Sequence, residues 1–238
     1  MTRRLKGGGT RNLIAGSLVA LTLTLGFAGK ALADFMIASA IVEFTDAGPR
    51  QQDIELVSRS KDKDYIETQI SEIVDPGQKD ETRRVIEDPA QGGLLVTPDK
   101  TVLAGGGRRV LRFVLLKDPD DRDHIYRVAI KPVIKGLDSS GKIGLKILVG
   151  YEALVIVRPV HPDAKYSATR SGKILTIENT GNTNILFQNG KQCDAANNCT
   201  TLPVMRAYAG TTTHIDLPRD ASIVYSVWDG TETIEKTF

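Results

Sequence analysis

The sequence predicts an all-β protein of two successive β-sandwiches, on three observations. After residue 34, short runs rich in Val, Ile, Leu, Thr and Tyr alternate with clusters of Gly, Pro, Asp and Asn, the pattern of strands and turns. No long amphipathic helix interrupts them. One segment, Arg158-Pro159-Val160-His161-Pro162, divides the runs into two sets, and its two prolines stiffen the chain and interrupt any ladder.

Residues 1–33 stand apart from both sets. Arg3, Arg4, Lys6 and Arg11 come without an acid, an apolar run follows from Leu13 to Ala28, and Ala31-Leu32-Ala33 closes it with small side chains. That order is a signal peptide with its cleavage site. Ser17, Thr22, Thr24 and Gly26 break the run, which is shorter than the ~20 residues a membrane span needs, so the expectation is an exported chain from Asp34 without membrane insertion. Removing Arg3, Arg4, Lys6, Arg11 and Lys30 takes the formal charge from +2 to −3. The basic balance therefore belongs to the leader and gives no support to a nucleic-acid partner.

The first sandwich is expected over 34–158. Its strands fall at 35–44, 53–58, 65–74, 94–98, 109–116, 125–133 and 143–157, the number that one sandwich needs. Two stretches read as long solvated loops: 75–90, crowded with charge, and 135–142, which holds Gly136, Asp138, Ser139, Ser140 and Gly141. The second, smaller sandwich is expected over 163–238, with strands at 166–169, 173–179, 184–189, 211–217, 222–228 and 232–238. Asn179-Thr180-Gly181-Asn182 and Trp228-Asp229-Gly230 supply turn residues that tolerate positive φ.

Chemistry is sparse. Cys193 and Cys199 are the two cysteines, close together in a chain expected to be oxidised, so one disulfide closing a short loop is expected. Metal binding is the alternative, but two thiols with no nearby His make an incomplete site. His124, His161 and His214 are scattered, Ser139 and Ser140 lack a nucleophile-elbow pattern, and no phosphate loop is present. Asp118, Asp120, Asp121 and Asp123 lack the Gly and the terminal Glu of a calcium loop, which leaves a solvated turn. With aromatics at 5% and unclustered, a carbohydrate-binding face is not indicated. The expectation is a non-enzyme without cofactor or metal.

One segment stands out. In Lys142-Ile143-Gly144-Leu145-Lys146-Ile147-Leu148-Val149 the residues Ile143, Leu145, Ile147 and Val149 share one strand face, and Lys142, Gly144 and Lys146 share the other. Such a ladder is either the inner face of a core strand or an edge offered to another protein, with backbone hydrogen bonds giving affinity and alternate side chains filling pockets. Left uncovered, an edge this apolar is an aggregation hazard.

The order of several segments resembles the periplasmic chaperones of the chaperone-usher pilus pathway, especially the alternate branch of colonization-factor and common-pilus type. The segments are Gly92-Gly93-Leu94-Leu95-Val96-Thr97-Pro98, Val102-Leu103, Arg108-Arg109-Val110-Leu111-Arg112-Phe113, Tyr126-Arg127-Val128, the ladder, and Arg158-Pro159. In the second half Leu175-Thr176-Ile177-Glu178-Asn179-Thr180-Gly181-Asn182, the cysteine pair and Trp228-Asp229-Gly230 follow. The resemblance implies two immunoglobulin-like sandwiches in a boomerang arrangement. It also implies a periplasmic location and partners in pilus subunits and an outer-membrane usher. Ile143, Leu145, Ile147 and Val149 become the side chains lent to an incomplete subunit, and a self-capping oligomer of the free protein is conceivable through the same strand.

In well-known members an arginine near the start of the first strand and a lysine on the donor strand hold the subunit's terminal carboxylate. Here those positions are apolar, at 38–41 and near Leu154. Arg112, Arg127 and Lys131 become the candidate anchors, arginine especially for its two parallel hydrogen bonds. Arg158 is expected instead to join the domains through a salt bridge to Asp121 or Asp123. The competing class is a secreted pilus subunit or adhesive β-sandwich, but Asp34-Phe35-Met36-Ile37-Ala38 is short and irregular for a subunit's alternating extension.

Overall fold

The computed structural model describes residues 35–133 and 148–238; the leader of residues 1–33, and Ile143, Leu145 and Ile147, lie outside them. The first half holds β1 (Phe35–Ile37), β2 (Ile41–Phe44), β3 (Gln51–Ser58), β4 (Asp64–Val74) and β5 (Thr82–Val85), then the one-turn helix α1 (Pro89–Gly92). It continues with β6 (Leu94–Thr97), β7 (Lys100–Leu103), β8 (Arg108–Leu115), β9 (His124–Val133) and β10 (Tyr151–Val157). The second half comprises β11 (Tyr166–Ser171), β12 (Ile174–Asn179), β13 (Ile185–Cys193) and β14 (Cys199–Thr201). Its last strands are β15 (Met205–Ala207), β16 (Thr212–Asp216), β17 (Ile223–Trp228) and β18 (Thr233–Thr237).

Each half is two sheets over one core. In the first, a sheet ordered β1-β3-β8-β6 faces one ordered β2-β10-β9-β4-β5, with β7 also paired to β4. Alternation sends every second side chain inward: Leu111, Phe113 and Leu115 from β8, and Tyr126, Val128 and Ile130 from β9, are all buried. Strand β10 is covered on both faces, which is why Ala153-Leu154-Val155-Ile156-Val157 reads as a continuous apolar run rather than an alternating one. In the second half β11-β12-β16 faces β14-β13-β17-β18, with β15 paired to β13. Phe187 anchors that core between the rings of Tyr166 and Tyr225, with centroids 5.3 and 5.9 Å away. The Tyr225 hydroxyl donates to the Pro203 carbonyl at 3.0 Å, and burial pushes its pKa up to about 12.

Two expectations need correction. The run at 35–44 is two strands in different sheets: β1 pairs antiparallel with β3, and β2 pairs parallel with β10. At the crossing, the Ser39 hydroxyl donates to the Ile41 carbonyl at 2.8 Å and accepts the Ile41 amide at 3.2 Å, local bonds that compete with the ladder. The second correction concerns 75–90, read as a solvated loop. It contains β5, paired to β4, and α1, capped by the Asp88 side chain at its start and by Gly93 at its end. All four β5 residues are exposed, so no buried face marks the strand in the sequence. Ion pairs attach its side chains instead: Arg84 to Glu72, and Arg83 to Glu152 at 2.6 Å. The short strands β7, β14 and β15 also went unforeseen.

Cys193 and Cys199 form a disulfide between facing residues of the β13–β14 hairpin. With a sequence separation of 6, the chain-entropy argument gives about 2 kcal/mol. The Cys193→Ser/Cys199→Ser double variant should lose about that much in urea denaturation and keep its strand content; a loss of folding would mean that the bridge holds far more than its own short loop.

Candidate functional site

Val149 is the one member of the apolar ladder among the described residues. It is 40% exposed and lies just ahead of β10. Its parity is that of Tyr151, Ala153, Val155 and Val157, whose side chains join the first core. Exposure thus falls along one face, from Val149 through half-buried Tyr151 to fully covered Ala153.

The other face of β10 lies on the outside of its sheet, where the strand registers align a row. Ile41 of β2 neighbours Leu154, Leu154 neighbours Arg127, Arg127 neighbours Ser71, and Ser71 neighbours Val85. Ile41 and Val85 at the ends are 46% and 48% exposed. Ile41 and Leu154, the apolar pair standing where the resemblance expects cations, are therefore direct neighbours, and the half-buried Arg127 lies beside them. Among the described residues no ion pair or hydrogen bond engages the Arg127 guanidinium. Lys131 lies on the same face of β9, exposed and likewise without an ion pair among the described residues.

Arg112, another of the candidate anchors, already has an acidic partner. It faces Asp53 across β3 and β8 and binds both carboxylate oxygens at 3.0 Å. That hydrogen bond is the chief reason Asp53 titrates below the usual carboxylate range. The guanidinium is already committed on the opposite sheet.

Arg158 is the largest fully buried side chain among the described residues. Its expected partner was Asp121 or Asp123; its ion pair is with Glu43, through Nε. Nη1 donates to the Thr183 hydroxyl at 2.6 Å and the Asn184 carbonyl at 2.9 Å, both in the second half. The Thr183 hydroxyl in turn donates to the Asp123 carboxylate at 2.8 Å, so it bridges the two charges expected to pair directly. Asp123 also accepts the Asn184 backbone and side-chain N–H groups at 2.5 Å, and the Asn184 side-chain oxygen accepts from Arg206. Burial pushes Asp123 up and Arg206 down from their ordinary values. Asp121 contributes its carbonyl, which accepts from Asn182 at 2.9 Å.

Glycines open the space for this joint. Gly230, of the Trp228-Asp229-Gly230 turn, has φ +103°, and a Cβ there would stand 2.6 Å from Cζ of Arg158. A Cβ on Gly181 would meet the Asp163 carbonyl oxygen at 1.9 Å; that close approach lets the Asn182 side chain accept the Asp163 amide and donate to the His161 carbonyl. Beside the polar network, Tyr208 of the second half packs on Ile73, Ile125, Leu154 and Ile156 of the first. Sequence reasoning missed Glu43, Thr183 and Tyr208. Glu43 had a readable signal, an acid alternating with Val42 and Phe44, whereas Tyr208 lies in a turn whose contacts arise only in three dimensions.

The acidic stretch is exposed at Asp118, Asp120 and Asp121, as a solvated turn would be, and two of its carboxylates are paired. Asp118 pairs with Arg50 at 2.8 Å, and Asp120 receives Nε2 of His124 at 2.8 Å while Glu72 stands 3.5 Å from Nδ1. Those carboxylates hold the His124 pKa above its ordinary value. No cluster of metal-ligating side chains occurs among the described residues, and no helix among them is long and apolar enough to cross a membrane.

Two sandwiches joined at a buried arginine define a class. The chain has the fold of fimbrial chaperones: it matches the class 5 fimbriae chaperone CfaA with a TM-score of 0.56 at 21% identity, over 85% of this chain and 98% of that one. It matches a chain of the Salmonella enterica SafA pilin–SafB chaperone complex with a TM-score of 0.60 at 16% identity, over 87% and 96%. In sequence it is 35% identical over 179 residues to a CS1 fimbrial subunit of Escherichia coli, covering 72% of each chain. It is 29% identical over 167 residues to a CFA/I fimbrial subunit of the same organism, covering 65% of this chain and 67% of that one. The protein belongs to the family of this CS1 fimbrial protein. No family model matches the chain.

Proposed function

We propose that the protein is a periplasmic chaperone of the alternate chaperone-usher branch, which caps pilus subunits by donating a strand and delivers them to an outer-membrane usher. The observation that carries this reading is the outer row across β10, where Arg127, without an ion pair among the described residues, lies in line with Ile41, Leu154 and Val85. It offers a carboxylate a charge-assisted, bidentate partner. The segment that precedes β10 in sequence carries the apolar ladder: Ile143, Leu145, Ile147 and Val149 complete the subunit's sandwich, and Arg127 of the neighbouring β9, with Lys131 as the outer alternative, holds its terminal carboxylate. Each buried branched side chain contributes about 1.5–3 kcal/mol, and ordering the ladder offsets part of it, which suits a transient cap. The work is binding and release, without catalysis or cofactor.

A second reading, a structural component of the fimbria itself, takes support from the names of both E. coli relatives. Against it stands the length of the match, since the chain spans 98% of the chaperone CfaA. Co-purification from periplasm with the products of neighbouring genes separates the two. Wild type should carry a small β-rich subunit, and the folded Leu145→Asp/Ile147→Asp variant should lose it. Retention by the folded variant would remove the ladder from the interface, and incorporation of the protein itself into fibres would establish the structural reading.

A further inference from the structure

We propose that His124 makes the joint between the two sandwiches pH-responsive, fastening it when the imidazole is protonated and loosening it when the ring is neutral. His124 is the first residue of β9, directly after Asp123, and its side chain is 25% exposed, so solvent protons reach it. Its two nitrogens face carboxylates from different elements, Asp120 from the preceding connection at 2.8 Å and Glu72 from β4 at 3.5 Å. A neutral ring has one N–H and can donate to one of them; the imidazolium donates to both.

The segment this clamp holds is the one that crosses the joint. The Asp120 carbonyl accepts the Val160 amide at 2.9 Å, in the link to the second half. The Asp121 carbonyl accepts Asn182 at 2.9 Å, and the Asp123 carboxylate holds Thr183 and Asn184. Weakening the bond to Asp120 therefore loosens the base of a strap that spans both sandwiches. Other charges face the ring from every side. Arg84 of β5 is paired to Glu72, Arg122 and Asp123 flank the ring in sequence, Tyr208 comes from the second half, and Lys117 and Asp118 lie beyond Asp120 in the adjoining clefts. Glu72 keeps Arg84 whatever the state of the ring, whereas a neutral ring that holds its one N–H on Asp120 does so without the charge that strengthens that bond.

Glu72 and Asp120 raise the folded pKa of His124. The clamp's contribution is therefore complete below the ordinary histidine value of about 6.5 and is lost as pH rises through the elevated one. Burial raises Asp123 above its ordinary value as well, and the His124→Gln variant keeps that carboxylate, so it separates the two groups.

The inference goes beyond the proposed chaperone role and does not depend on it. Its test is native-state hydrogen exchange, corrected for intrinsic rates, in wild type and His124→Gln between about pH 6 and about pH 8. In wild type, protection of the Val160 and Asn184 amides, relative to Ile177 in the second core, should fall about three-fold or more with rising pH; in His124→Gln the ratio should stay flat. A wild-type ratio that does not change, or a variant that keeps the wild-type dependence, overturns the proposal. Should His124→Gln fail to fold, the wild-type ring titration decides: a change in protection whose midpoint departs from that of the His124 ring overturns it equally.

Discussion

Arg158→Met is expected to destabilise the protein by about 3 kcal/mol or more, because breaking a buried ion pair strands the groups left behind. Arg158 is 1% exposed, and its loss removes the donor to Glu43, to the Thr183 hydroxyl and to the Asn184 carbonyl together. Thr183 and Asn184 are themselves fully buried, so water cannot readily replace the guanidinium. Methionine keeps much of the volume and isolates the polar loss from a cavity. The cost should also show in cooperativity, since the network spans both halves: urea unfolding of wild type should be one transition, and that of the variant should broaden or divide. Gly230→Ala should act on the same point, through φ +103° and the 2.6 Å approach to the guanidinium, at about 1–3 kcal/mol. Wild-type stability in either variant would show that the joint depends on Tyr208 packing and not on this network.

Arg127→Ala should leave stability within about 0.5 kcal/mol of wild type, because no partner among the described residues loses a bond. Its effect belongs to subunit retention, where removing one side of a desolvated charge pair costs about 2–5 kcal/mol, or about thirty-fold or more in affinity. The comparison with Arg112→Ala is decisive. Arg112 is held by Asp53 on the opposite sheet, so its loss should leave retention unchanged. If Lys131→Ala weakens binding and Arg127→Ala does not, the anchor lies toward the exposed end of β9; if neither does, the carboxylate is not held on this face.

Local pattern made much of this protein legible. Strands such as β8 and β17 are visible because each buries one face, so their apolar residues recur at every second position whatever the partner strand. The all-β class and the β13–β14 disulfide follow from local composition in the same way. Strand β5 is invisible to that reasoning, since Thr82-Arg83-Arg84-Val85 buries nothing and takes its place from pairing to β4 and from ion pairs to Glu72 and Glu152.

The candidate site divides along the same line. The alternation from Ile143 to Val149 was legible in the sequence as part of one strand over 143–157, and resemblance to a family singled out Arg112, Arg127 and Lys131 as anchors and Arg158 before its proline as the joint. Which cation is free and which is spent could not be read there, because charge pairing depends on strand register and on residues distant in the chain. Asp53 faces Arg112 from 59 positions away, and Glu43 meets Arg158 from 115. Tertiary structure made Arg112 a strut, Arg158 a buried bolt and Arg127 a charge without an ion pair among the described residues, since a side chain's role in an ion pair is decided by what folding brings within about 4 Å of it.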